Sequence, residues 1–399
     1  MALDRLDVFL GDRLVGSISS LGGDRSVFSF DDSYADDPVR PALSLSFRND
    51  RGELRRDQRS TQTRLAPFFS NLLPEGFLRT YLAERAGVNA GREFPLLWAL
   101  GADLPGGIIV RAADGRVLPV SDEGVVPEGG EPALRFSLAG VQLKFSAIEG
   151  ATGGLTIPAT GAGGSWIVKL PSARFAGVAE NEFAMMTLAG MVGIEVPPIR
   201  LLNVEEIGGL PAGVGRLAGK AYAVQRFDRV PGGGRVHMED FAQVLGVYPE
   251  VKYRQASYRL LAKILWLETG EAGLTEFIRR LVFSALIGNA DMHLKNWSLL
   301  YRDGVTPTLS PAYDFVSTLA YIPDDEAALT FARTKRWDGF GVDELRYLAA
   351  RAGVPEAIVV RTARETVEVF REVWGRQPMP TEIEAVIERQ LNVLPLARA

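Results

Sequence analysis

The stretch GNADMHLKNWSLL, from Gly288 to Leu300, places Asp291 and Asn296 in a D-x-x-x-x-N relation, and LSPAYDFVS, ending at Ser317, adds a second acid, Asp314. Phosphoryl transfer from ATP needs such a set: a carboxylate to orient the accepting hydroxyl, and an amide oxygen with a second carboxylate to hold Mg2+ against the phosphates. Each residue alone has a plainer reading, Asp291 as a helix cap and Asn296 and Asp314 as turn residues. Their order, with the strand-like WSLLYRDG between them, favours the chemical one. His293 and Lys295 fall inside the same stretch. His293 reads either as a satisfied structural histidine or as part of an active-site loop, and Lys295 either neutralises a transferring phosphoryl group or is simply solvated.

A site of this kind makes a demand upstream: a strand lysine for the phosphates and a helix glutamate to pair it. WIVKLP supplies Lys169 at the end of an apolar strand, and ENEFAMMTLAG supplies Glu182 on a helix. Glu180 is an equal candidate for the partner, or either acid merely favours the helix N-terminus. SLAGVQLKFSA, from Ser137, reads as a loop between strands whose backbone N–H groups could cover phosphates. It lacks the G-x-G-x-x-G of protein kinases and the G-x-x-x-x-G-K-[ST] of P-loop NTPases. AYAVQRFD, which contains Gln225, Arg226 and Phe227, falls where a hinge would meet adenine, and otherwise is a buried strand.

The elements around these residues change character along the chain. Residues 1 to about 50 alternate apolar and polar positions between Gly and Asp clusters, which predicts short antiparallel strands. Helices are expected from Leu65, with a stop at Gly87, and over FPLLWALGA. The Gly- and Pro-rich stretch at 104–107, then IIVRA and a charged, Gly-rich connection at 121–131, marks the expected boundary. Strands dominate from Leu134 to Asp228 around one helix, AENEFAMMTLAGMVG, with PPIRLLNV and KAYAVQRFD as a strand pair. After Phe241 the pattern turns helical to the end, with a break at Pro378–Pro380. The expected organisation is an N-terminal subdomain of strands plus helices at 1–115, a β-rich nucleotide lobe at 130–230 and a helical catalytic lobe at 235–399. The fold class is α+β and bilobal, with the cleft between unlike lobes as the default site.

Composition narrows the chemistry. The chain has 399 residues, 47% of them hydrophobic, which suits two or three domains or one large bilobal one. With no Cys, disulfides, thiol nucleophiles, Cys-based zinc sites and iron–sulfur clusters are excluded. With only two His, His237 in an ordinary-looking turn and His293, little room remains for a multi-histidine metal site. A net charge of −5 gives no global basic footprint for nucleic acid. The start, MALDRLDVFLGDRLVGSI, carries acids among its apolar residues and does not read as a signal peptide, and no run near the length of a transmembrane helix occurs. A reducing, cytoplasmic compartment is expected.

Taken in order, FFSNLLPEG, SLAGVQLK, WIVKLP, NEF, VQRFDR, GNADMHLKN and YDFVS make the chain resemble the HipA family of serine/threonine-protein kinase toxins of bacterial type II toxin–antitoxin pairs, over almost its whole length. The resemblance implies a bilobal kinase-like fold, ATP and Mg2+ as cofactors, Asp291 as catalytic base, Asn296 and Asp314 as magnesium ligands, and Lys169 on the ATP phosphates. By position it makes Ala139, Gly140, Val141, Gln142, Leu143 and Lys144 the phosphate loop. It makes Gln225, Arg226 and Phe227 the adenine-side hinge, and His293, Lys295 and Tyr313 further nucleotide-site residues. Ser137 matches the serine that family members autophosphorylate in trans, an event that expels the phosphate loop and inactivates the kinase. Leu143, where relatives often have an acid, and Gln225, where a hinge glutamate is common, depart from the pattern.

The resemblance further implies a HipB-like helix-turn-helix antitoxin as partner and operator DNA contacted mainly through it. The implied protein substrate is an aminoacyl-tRNA synthetase, whose phosphorylation halts translation and gives growth arrest and persistence. Two rival readings remain at this level. One is a small-molecule or lipid phosphotransferase, since aminoglycoside- and phosphoinositide-type kinases share the Asp–Asn pair and the metal acid. The other is a kinase-shaped co-repressor subunit without catalysis.

Overall fold

A computed structural model describes residues 4–116, 143–150, 153–158, 163–172, 174–210, 218–230 and 232–398. Ser137, Ala139, Gly140, Val141 and Gln142 lie outside the described residues.

The N-terminal alternation becomes a meander of β1 (Arg5–Leu10), β2 (Arg13–Gly22) and β3 (Arg25–Phe30), each pair antiparallel. One-turn helix α1 (Asp32–Ala35) follows, and β4 (Thr61–Gln62) extends the sheet past β3. Helices α2 (Pro67–Ser70), α3 (Gly76–Arg85) and α4 (Glu93–Leu100) cover one face. Strand β5 (Ile108–Ala112) then returns beside β1, giving the order β4-β3-β2-β1-β5. The residues at 104–107 thus lead into a strand of this sheet. Period-2 alternation puts Leu6 and Val8, with the register partners Ile18 and Phe28, on the face that packs against Phe68, Phe69, Leu96 and Leu97, and the β1–β2 bulge adds Val15 to this core, which is separate from the rest of the molecule.

The next sheet has the order β7-β6-β8-β10-β9, from β6 (Lys144–Glu149), β7 (Leu155–Thr156), β8 (Trp166–Lys169), β9 (Ile199–Asn203) and β10 (Lys220–Gln225). Its single helix, α5 (Val178–Met191), lies between β8 and β9 in the chain. Trp166, Val168, Ala221 and Ala223 point into a small core on one face, while Ile167, Tyr222 and Val224 pack toward α5 and the helical lobe on the other. The same period places Lys169 with Ile167 on the α5 side.

After the short ribbon β11 (Arg229–Val230) and β12 (Gly234–Arg235), β13 (His237–Asp240) pairs with β14 (Ser298–Tyr301), which pairs with β15 (Thr308–Leu309). His237, expected in a turn, is instead a strand residue 4% exposed, its Nε2 2.8 Å from the Leu43 carbonyl. Burial pulls its pKa down to about 4, so the ring is neutral.

The helical lobe opens with α6 (Phe241–Val244), started by a reciprocal cap between Asp240 and Gln243. The long α7 (Tyr258–Leu286) is capped by Ser257 and broken at Gly270, where φ is 67°. Leu274, Phe277, Ile278, Leu281 and Ala285 recur on one buried face, giving α7 a continuous apolar seam. Around it pack α8 (Val342–Ala352), α9 (Glu356–Val373), α10 (Thr381–Val393) and the terminal turn α11 (Pro395–Arg398). The break at 378–380 matches the sequence. No helix among the described residues is long and apolar enough to cross a membrane.

Candidate active site

Lys169 ends β8 directly opposite Tyr222 of β10, and its ammonium lies 5.6 Å from that ring's centroid. Nζ donates to Glu182 Oε1 at 2.6 Å and to Asp314 Oδ1. Of the two acids on α5, Glu182 is therefore the partner, and its side chain is only 2% exposed. Burial opposes the charge on Lys169, but Asp314 and Glu182 outweigh it and raise its pKa. The same lysine, with Lys144, overcomes burial at Asp314 and holds that carboxyl at about 2. The pair spans the cleft, one member from the nucleotide sheet and one from the segment after β15.

Asp314 has φ 59°, a left-handed backbone that Asp adopts more readily than most residues. Asn181, the middle residue of ENE on α5, stabilises the segment that follows: its amide donates to the Ser317 carbonyl (3.1 Å) and its oxygen accepts from the Ser317 N–H (2.9 Å). This role escaped the sequence reading, in which only the acids of that helix stood out.

The loop from Gly288 to Asn296 is held by its own side chains and by Thr318. Gly288 has φ 64°, and a Cβ built there would lie 2.7 Å from Val386 Cγ1, so this position needs glycine both for the turn and for the approach of α10. Asn289 accepts from the Asp291 N–H at 3.0 Å, and Thr318 accepts from the Ala290 N–H at 2.7 Å. Asn296 donates its amide to the Asp291 carbonyl at 2.8 Å, which leaves Oδ1 as the end able to meet a cation. Asp291 is exposed at the cleft mouth, and one carboxylate oxygen accepts the Tyr253 hydroxyl. Although its tip is open, the protein packed around the carboxyl partly desolvates it and raises its pKa, with Asp314 and Asp325 adding to the rise, while Tyr253 and Lys252 oppose it.

Among the described residues no cluster of three or more His, Asp or Glu able to hold a metal ion occurs. Asn296 and Asp314 fit a hard cation that takes its remaining oxygens from phosphates and water.

Other sequence candidates sit differently. His293 is 7% exposed, its ring edge-on to Tyr253 at 4.9 Å, and burial pulls its pKa down to about 3, so it brings no positive charge to the site. Tyr313 donates to the Lys295 carbonyl at 2.9 Å and packs 5.7 Å from Phe227, which joins the segment after β10 to the loop of Asn296. Gln225 is a strand residue whose N–H goes to the Pro198 carbonyl at 2.9 Å. Lys144 is exposed toward the cleft, where the surrounding protein lowers its pKa.

Three further candidates have their side chains engaged by the protein itself. The Leu143 side chain is buried in the small core of the second sheet, and its carbonyl accepts from the Leu170 N–H. The guanidinium of Arg226 is 8% exposed and engaged by Asp103 and Asp228, with Arg229 bridging the same two acids. It braces the lobe junction and does not face the cleft as a free cation. Lys295 is taken by Glu75 Oε1 at 2.9 Å and the Asn71 carbonyl at 3.1 Å, partners that only the tertiary fold brings near.

Comparison with known proteins identifies the family. The HipA N-terminal domain model matches residues 6–111 and the HipA-like C-terminal domain model matches residues 136–374. "Putative kinase Y4dM" of Sinorhizobium fredii is 52% identical over 98% of both chains. The serine/threonine-protein kinase toxin HipA of Shewanella oneidensis is 28% identical over 98% of this chain and 94% of its own. The structure of a Shewanella oneidensis HipA, solved with HipB and operator DNA, covers 98% of each chain with a TM-score of 0.74 at 23% identity, which establishes the shared fold. Matched in both halves and along nearly its full length, the chain belongs to the HipA family, whose relatives are named as kinases.

Proposed function

We propose that this chain is an ATP-dependent serine/threonine protein kinase and the toxin of a toxin–antitoxin pair. The observation that carries the reading is the Lys169 ammonium shared by Glu182 and Asp314, with Asp291 and Asn296 tied together in one loop. An intact strand-lysine to helix-glutamate pair is the arrangement in which protein kinases transfer phosphate. The Asp314 contact gives Lys169 a placeholder that phosphate oxygens can displace.

In the proposed reaction the acceptor hydroxyl oxygen attacks the γ-phosphorus, its bond to the β-bridging oxygen breaks, and ADP leaves. The hydroxyl proton passes to Asp291, whose raised pKa suits a base. Lys169 holds the phosphates, and Glu182 holds Lys169. Mg2+, when bound, would neutralise charge between the β- and γ-phosphates, with Asn296 and Asp314 as its protein ligands. A HipB-like antitoxin as partner is supported by the complex in which the Shewanella relative was solved. Autophosphorylation of Ser137, operator DNA contacted mainly through that antitoxin, an aminoacyl-tRNA synthetase target and a cytoplasmic location follow from the family likeness and belong to the same proposal.

The test is incubation of purified protein with [γ-32P]ATP and Mg2+, alone and as Asp291→Asn. Label on the polypeptide at Ser137, lost in the variant, supports the reading. Label on an added aminoglycoside or lipid with unlabelled protein overturns it in favour of a small-molecule phosphotransferase. Label undiminished by Asp291→Asn overturns the assignment of the base.

A further inference from the structure

The FFSNLLPEG stretch has no part in the transfer as proposed, yet it is where the N-terminal module meets the catalytic loop. Glu75 sits between Pro74 and Gly76, whose φ of 55° lets the chain turn into α3. From there its carboxylate divides between two lysines: Oε1 is 2.9 Å from Lys295 Nζ and Oε2 is 2.9 Å from Lys252 Nζ. Burial alone would favour the neutral acid, but Lys295 and Lys252 outweigh it and keep the carboxyl ionised, at about 2. Lys295 immediately precedes Asn296, and Lys252 immediately precedes Tyr253, whose hydroxyl donates to Asp291 Oδ1. One carboxylate from another module thus reaches the site by two routes.

A plain adhesive role would suffice if this were the module's main attachment, but it is not. Ser44 and Leu45 donate to Glu239, Gln243 donates to the Phe68 carbonyl, and Asp103 joins the Arg226–Arg229 network, all independent of Glu75. What Glu75 adds is orientation of groups beside the reacting atoms.

We infer that Glu75 is a positioning residue for phosphoryl transfer: through Lys295 it fixes Asn296, and through Lys252 it seats Tyr253 so that Oδ1 of Asp291 is held and Oδ2 is left to the acceptor hydroxyl. The inference rests on the kinase reading, with the N-terminal module completing the active site instead of serving only as a docking appendage. Tyr253 is 40% exposed and rests edge-on against His293, so its hydroxyl depends on the Lys252 tether as well as on that contact.

The experiment uses the full chain as wild type, Glu75→Gln, Glu75→Asp, Tyr253→Phe and the Glu75→Gln/Tyr253→Phe double variant. Two measurements are made: steady-state transfer and hydrogen–deuterium exchange without nucleotide. Glu75→Gln is expected to lower kcat about tenfold or more with the KM for ATP unchanged, and Glu75→Asp to restore part of it. The double variant is expected to fall short of the product of the single effects, because both act partly through Asp291. Amides at 252–254 and 291–296 should exchange faster in Glu75→Gln, with β8 and α5 unaltered. Wild-type kcat with unaltered loop exchange, or faster exchange spread evenly over the molecule with a matching fall in Tm, would overturn the inference. The exchange measurement needs no turnover. If wild type transfers no phosphate, the kinase reading fails while exchange still decides whether Glu75 holds the loop.

Discussion

Asn296 donates its side-chain amide to the main-chain carbonyl of Asp291 at 2.8 Å, so the amide oxygen and the carboxylate that the sequence pairs by spacing are fixed to each other by a bond within the loop. Lys169 makes the corresponding link across the cleft, to Glu182 and Asp314.

Replacing Lys169 by Met leaves Glu182 buried without its cation. At neutral pH this should cost about 3 kcal/mol, the low end for breaking a buried pair, and weaken ATP binding. Without the ammonium, burial keeps the Glu182 pKa above its unfolded value, so the acid's contribution is fully present below the unfolded pKa and lost as pH rises through the folded one. The variant's deficit relative to wild type should therefore shrink toward acid pH. Urea melts at pH 5 and pH 8 check this, and an equal deficit at both would show that Glu182 does not carry the cost.

Asp314→Asn and Asp314→Ala should both lose transfer, the first by changing the charge and the second by removing the oxygens. They should differ in stability, because Asn tolerates the left-handed backbone at φ 59° and Ala does not. The expected gap is about 1 kcal/mol in favour of Asn, read from thermal or urea unfolding. Equal stabilities would mean that the backbone there is not constrained.

The grouping of Asp291 with Asn296, and of Lys169 with Asp314 and a helix acid, was legible in the sequence because phosphate chemistry, the reading proposed above, needs fixed residue types; which acid of α5 meets Lys169 was not. The strand and helix pattern was legible for a related reason, since period-2 and helical alternation follow from which face is buried, as in β1 to β3 and α9. What could not be read were the partners. Arg226 is polar beside a hinge strand in sequence, and only the fold brings Asp103, more than a hundred residues away, against it. Lys295 looked free because Glu75 belongs to another module. Asn181, Tyr253 and Lys252 act through single contacts that no spacing rule encodes.

Gly288→Ala should destabilise by about 2 kcal/mol, combining positive φ with a Cβ pressed on Val386 and Leu319. Val386→Ala on its own should also destabilise, yet added to Gly288→Ala it should cost less than alone, because the new methyl occupies the vacated space. A double-mutant cycle by urea unfolding reads the coupling, and simple additivity would show that α10 does not press on the loop.

Glu239 is wholly buried at the seam between the N-terminal module and β13, accepting from Ser44, Leu45 and Tyr301, and burial raises its pKa to about 7. Its contribution is fully present below the unfolded pKa of 4.5 and is lost as pH rises through about 7. Glu239→Gln removes that titration, so the difference in unfolding free energy between the two proteins should change by up to about 3 kcal/mol between pH 4 and pH 8, wild type gaining on the acid side. Parallel stability–pH curves would mean that Glu239 titrates alike in both states.

Arg226 separates a bracing role from nucleotide recognition. Its guanidinium meets Asp103 at 3.3 Å and Asp228 at 2.9 Å, and both acids keep Arg229 at 2.7 and 2.8 Å. Arg226→Met therefore leaves two nearly buried carboxylates with one cation between them. A loss of about 3 kcal/mol is expected, less if Arg229 recentres. Because the side chain points to the N-terminal module, the KM for ATP should stay within about twofold of wild type in the folded variant, well under the tenfold that 1.4 kcal/mol of lost binding would give. A large rise in that KM at unchanged Tm would return Arg226 to the nucleotide site and make the ion cluster secondary.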